Sequence, residues 1–218
     1  MHGGGGMMAP RRYGWLLGAL ACAGFAACGG DGDDGGGGDG VVVADTAGED
    51  GEAMGASLAD RAEAELSGEP RSLIIERLGG IALALDDGEV SQAETALELG
   101  EDPQVLDFAE HMRRAHSEHA DELEDLLSDR GFVPTQGEVS GRLRTEAFVG
   151  IDELRHTPPG QVDFAYLRIQ VMMHAAAGVL VDRLIDVAPD AELFDFLRET
   201  SAAISDHRIQ AEAILRAR

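Results

Sequence analysis

Residues 102–127 read DPQVLDFAEHMRRAHSEHADELEDLL, and within them Val105, Ala109, Met112, His116, His119, Leu123 and Leu126 recur at alternating steps of three and four. That spacing is one face of an α-helix. Asp102 is placed to cap it and Pro103 to occupy its first position, where the missing N–H costs nothing. Gly131 and Pro134 close it. The face is apolar at both ends and carries titratable side chains in the middle, and three further segments repeat this arrangement.

Upstream, a helical period starts after Pro70 with the seam Leu78, Ala82, Leu85, Glu89, Gln92, Ala96 and Leu99, and Gly100 ends it. Downstream, Pro158-Pro159-Gly160 forces a stop, after which Tyr166, Gln170, His174, Ala177, Val181 and Leu184 share a face. Pro189-Asp190 restarts the chain for the last seam: Leu193, Leu197, Thr200, Ile204, His207, Ala211 and Ile214. No stretch alternates with period two between hairpin signals, so the domain, residues 71–218, is expected to be all-α. Four amphipathic helices of this length pack as a four-helix bundle with seams inward. The connection between the second and third helices is longer and should hold a short helix over about 141–155.

The rest of the chain reads differently. Arg11 and Arg12 precede an apolar run, Trp15 to Ala27, too short to span a bilayer and suited to a cleaved secretory signal. Phe25-Ala26-Ala27-Cys28 resembles a bacterial lipobox, which makes residues 1–28 a lipoprotein signal peptide and Cys28 the lipidated residue; Cys22 is the rival position. The expected address is the cell envelope, lipid-anchored and facing the periplasm, with the membrane as partner. Residues 29–70 are rich in Gly and acid, with Arg61 the sole base before Arg71. They are expected to be a disordered tether, because large apolar side chains are too few to offset the ordering entropy.

A net charge of −24 and a pI near 4.4 disfavour nucleic acid as a partner. All 17 basic residues are arginine, a usage we read as genome base composition. Both cysteines lie in the leader, so the domain has no thiolate for metal or catalysis.

The informative residues are those that interrupt the seams: Glu89, His116, His174 and His207. Buried unpaired, such groups cost several kcal/mol, so they need one another, a metal or water. At about 1.5 Å of rise per residue, either orientation of the third helix brings all four to about one layer. One carboxylate and three imidazoles suit zinc, iron, copper or manganese. Gln92, Gln170, Tyr166 and His119 lie close enough in spacing to orient the rings, and His119 could replace His116 as ligand. The competing reading is a metal-free structural or interaction module whose buried polar network fixes how the helices align. His111 falls off the stripe and is expected to be exposed. Glu153 and His156 have a di-iron-like spacing, but at a helix end. No nucleophile–base pair is visible, so no reaction is assigned.

Gly88-Glu89-Val90, Phe108-Ala109 with Met112 and His116, Asp163-Phe164-Ala165-Tyr166 with Met172, Met173 and His174, and finally His207 resemble the bacterial domain-of-unknown-function 4142 proteins over about residues 72–217. The resemblance implies export and a ferritin-like four-helix bundle, with no activity attached. Arg113 and Ile204 stand three residues before His116 and His207, so the Glu-x-x-His pattern of di-iron bundles is absent.

Overall fold

The computed structural model describes residues 39–218, and the leader, Cys28 and the first part of the expected tether lie outside them. The described residues form six α-helices and no strand: α1 Asp39–Leu66, α2 Arg71–Leu99, α3 Pro103–Ser128, α4 Glu138–His156, α5 Val162–Asp186 and α6 Ala191–Arg216. The all-helical expectation holds for these residues, whereas a count of four helices does not describe them.

The four seams read from the sequence belong to α2, α3, α5 and α6. Pro70, extended, leads into α2, and Gly100 N–H closes it on Ala96 O at 2.8 Å. Asp102 caps α3 by accepting from Gln104 N at 2.8 Å, and Asp190 caps α6 by accepting from Leu193 N at 3.1 Å. Asp163, in the first turn of α5, accepts from Glu101 N and Asp102 N at 3.1 and 3.0 Å, tying the α2–α3 turn to α5. α2 pairs with α3 and α5 with α6 as hairpins. Across them α2 meets α5 and α3 meets α6, each pair antiparallel: Glu89 and Gln92 face His174 and Gln170, while His116 and His119 face His207 and Thr200.

The remaining two helices lie on the outside of these four. α4, longer than the expected 141–155 segment, runs along α2, its start fixed by Ser140 Oγ accepting from Gly137 N at 2.8 Å. Over Asp39–Leu66 the expected disordered tether is instead α1, a helix that lies parallel to α5. Its buried stripe is mostly small, with Ala44, Ala47, Gly48, Gly51, Gly55, Leu58, Ala59, Ala62 and Leu66 recurring at helical spacing. A methyl group at Gly51 or Gly55 would overlap the carbonyl oxygens of Met172 and Ala176, so the two backbones approach as only glycine permits. Close approach replaces side-chain bulk as the source of contact. Asp45, Glu49, Asp50, Glu52, Asp60 and Glu63 of α1 face outward, where Glu52 pairs with Arg208 at 3.0 Å and Asp45 with Arg216 at 3.1 Å, while Glu65 turns in to Arg77 and Val139 N.

α5 is long and apolar enough to cross a membrane, yet 72% of its most apolar window is buried against the other helices, as a core helix requires. The buried apolar residues fall into two clusters. One is built around Leu78, Ile81, Leu123, Leu127, Leu180 and Leu197. The other is built around Val105, Met112, Tyr166, Ile169, Ala211 and Leu215. Between them lies a polar layer.

Candidate metal centre

Three of the interrupting residues meet in that layer. His116 of α3, His174 of α5 and His207 of α6 are buried, and one ring nitrogen from each lies within 4.8 Å of the others. The ring centroids stand 5.8, 5.4 and 5.4 Å apart. A tetrahedral ion bound at about 2.0–2.1 Å needs its nitrogens about 3.3 Å apart. The rings must therefore close by at most about 1.5 Å, within the range of small side-chain rotations. They surround a cavity of about 20 Å³, room for one water-sized occupant, walled by Ala82, Ala115, Ala177 and Ala203.

Hydrogen bonds set which nitrogen faces inward. His116 Nδ1 donates to Asp86 Oδ1 at 2.9 Å and His174 Nδ1 to the Gln170 carbonyl oxygen at 3.0 Å. Their Nε2 atoms are buried without a partner, as is His207 Nδ1. With the proton on the outer nitrogen, each Nε2 presents a lone pair to the cavity. A carboxylate or carbonyl behind a ligating ring orients metal-bound histidine in this way.

Asp86, 2% exposed, was missed by the sequence reading. It stands one turn before Glu89, beside the seam, and its second oxygen accepts from His119 Nδ1 at 2.8 Å. Burial opposes its charge, but the charge of His119 and the hydrogen bonds from both histidines outweigh it and hold the carboxyl below its usual range. His116 answers with the opposite shift: burial pulls it down, and Asp86 more than restores it. Burial lowers His174, with Glu89 opposing. Burial and then the neighbouring histidines push His207 far below the ordinary imidazole value. At neutral pH His174 and His207 are therefore uncharged, the form that binds metal.

The other expected site residues are placed as follows. Glu89 is not among the converging groups, since its Oε1 lies 3.8 Å from His174 Nδ1 and its Oε2 accepts from Gln170 Nε2 at 2.7 Å. Gln170 also donates to Gln92 Oε1 at 3.2 Å, so it is its backbone carbonyl, not its amide, that orients His174. Tyr166 is fully buried with no partner at its hydroxyl, and burial, then Glu89, raises its pKa well above the ordinary phenol value. His119 lines the same cavity but is not one of the three converging ligands: it stacks on Phe196 at 4.7 Å and bonds Thr200 Oγ1 at 2.8 Å. His111 is half-buried, against the expectation of exposure, because α3 turns it toward α6 and its ring stands edge-on to His207 at 5.4 Å. His156 is exposed beside Asp152, and Glu153 pairs with Arg168.

Comparison with known proteins gives a fold and a family. No curated protein matches the chain. The crystal structure of a DUF305 fragment from Deinococcus radiodurans superposes with a TM-score of 0.58 at 17% identity, covering 67% of this chain and 96% of that one. At that identity the likeness concerns fold alone. The profile of the domain of unknown function DUF4142 matches residues 57–214, from the second half of α1 through α6, and the chain belongs to that family.

Proposed function

We propose that this chain is an exported, lipid-anchored protein of the cell envelope whose helical domain, a ferritin-like bundle in α2, α3, α5 and α6, binds one transition-metal ion through His116, His174 and His207. The carrying observation is the convergence of three buried ring nitrogens with no partner, two of them on rings oriented from behind. An all-imidazole set suits zinc, copper or iron, and manganese fits least because the carboxylate of Glu89 stays outside the group. The orphaned nitrogens also weigh against the metal-free network, although Glu89, Gln92 and Gln170 do form one. A network that served only to fix helix alignment would pair its own members.

Elemental analysis of untagged full-length protein tests the reading, with about one equivalent of metal expected after reconstitution. Well under half an equivalent leaves only the network. Export and anchoring rest on the leader, and Cys28→Ala should move the protein out of the membrane fraction and abolish acyl labelling. Retention of label would point to Cys22.

A further inference from the structure

The helices wall the three-histidine cavity unevenly. α2 and α3 pack along their length, as do α5 and α6, while α4 lies over α2 and α1 over α5. Between α3 and α6 contact is sparse, and no other described helix packs substantially on both. The histidines record the difference: His116 and His207 keep 8% and 6% of their surface exposed, and His174 of α5 only 2%.

His111 stands on the α3–α6 side. Its ring lies 5.4 Å from that of His207, the same separation that divides His207 from His116 and from His174. Imidazoles thus lead in equal steps from a half-buried position to the enclosed one. Arg114 Nη2 approaches His111 Nδ1 at 3.4 Å, and a guanidinium can only donate, so this nitrogen holds a lone pair. Arg114 is exposed and can swing away.

We propose that His111 and His207 form a capture position for a transition-metal cation, with Arg114 as its latch. The proposal rests on the metal site described above. His111 Nδ1 exchanges the Arg114 donor for the incoming ion, His207 joins it, and His116 and His174 then displace His111 as the ion moves inward. No electron is transferred; only metal–nitrogen and metal–water bonds are exchanged. A residue that serves only the path alters uptake and release by the same factor and leaves Kd unchanged.

Stopped-flow absorbance with Co²⁺ and the full chain provides the test. His111→Phe keeps a ring against His207 and removes the lone pair. Co²⁺ uptake and release should both slow by about tenfold or more, with Kd and stoichiometry held. Arg114→Gln, on the surface, should speed uptake. Unchanged rates in His111→Phe overturn the capture role, and so does a weakened Kd with unchanged uptake, which would make His111 a lasting ligand. Should His111→Phe not fold, Arg114→Gln decides: faster uptake supports the latch and an unchanged rate overturns it. If the wild type takes up no Co²⁺ at all, the three-histidine site itself fails, and the capture position with it.

Discussion

Asp86→Asn exchanges one carboxylate oxygen for an amide nitrogen of nearly the same shape, at a position where two N–H donors arrive at 2.9 and 2.8 Å. The amide can accept from only one of them. If its NH2 faces His116, that ring must turn its unprotonated nitrogen outward and its N–H into the cavity, where it blocks a metal. If it faces His119, His116 keeps its tautomer but loses the negative charge that makes its inner nitrogen basic. Losing such a partner typically weakens metal affinity about 10–100-fold. At a metal concentration of about 100 times the wild-type Kd, binding stabilises the wild type by about 2.7 kcal/mol. The same concentration would stabilise the variant by only about 0.4–1.4 kcal/mol. For a domain of this size 1 kcal/mol is about 2–4 °C, so the metal-dependent rise in Tm should fall from about 5–10 °C to about 1–5 °C. The metal-free variant should itself melt lower, by roughly 1–3 kcal/mol, for the donor left unpaired. Differential scanning calorimetry with and without zinc reads both effects. A variant that keeps the full zinc-dependent rise would refute the claim that Asp86 prepares His116 for metal.

Chelator should lower the Tm of metal-loaded wild type and do little to His174→Ala, whereas Glu89→Gln should keep most of the chelator response because Glu89 lies outside the converging group; the same calorimetry compares them. Asp163→Ala removes the acceptor for Glu101 N and Asp102 N and should cost about 1–3 kcal/mol in urea unfolding. Its metal stoichiometry should be unchanged. Acid should destabilise the metal-free protein from pH 6.5 downward. Burial first of all holds His174 and His207 below 6.5, so below that pH the unfolded chain takes up protons that the folded one refuses. The loss should be roughly 1–2 kcal/mol between pH 6.5 and 5.5, read from urea midpoints. His116, raised by Asp86, acts in the other direction, its contribution fading as pH rises above 6.5.

The helices α2, α3, α5 and α6 were legible because each sets Leu, Ile, Val or Met at helical spacing between proline and glycine breaks. The meeting of His116, His174 and His207 was legible for the same reason: residues that interrupt seams at similar heights are carried inward together. α1 was not, since its stripe of alanine and glycine looks like linker to any reading that counts large side chains. What makes it pack is backbone approach to Met172 and Ala176, a property of the pair of helices. Asp86 escaped because it sits beside the seam next to Asp87, and nothing local distinguishes the buried acid from the exposed one. Glu89 was placed at the right height, but height does not fix direction, and its carboxylate turned to Gln170. His111 was assigned to the surface from its own stripe, although the nearness of α6 decides its burial.

Each of α2, α3, α5 and α6 threads both apolar clusters and crosses the polar layer between them, so neither half of the core can dissolve while the other stays whole. A chain with two hydrophobic centres is thereby bound to melt as one unit. The slowest-exchanging amides on either side of the layer must await the same global opening. α4 is tied into the same unit, because it gives Val139 and Leu143 to one centre and Leu154 to the other.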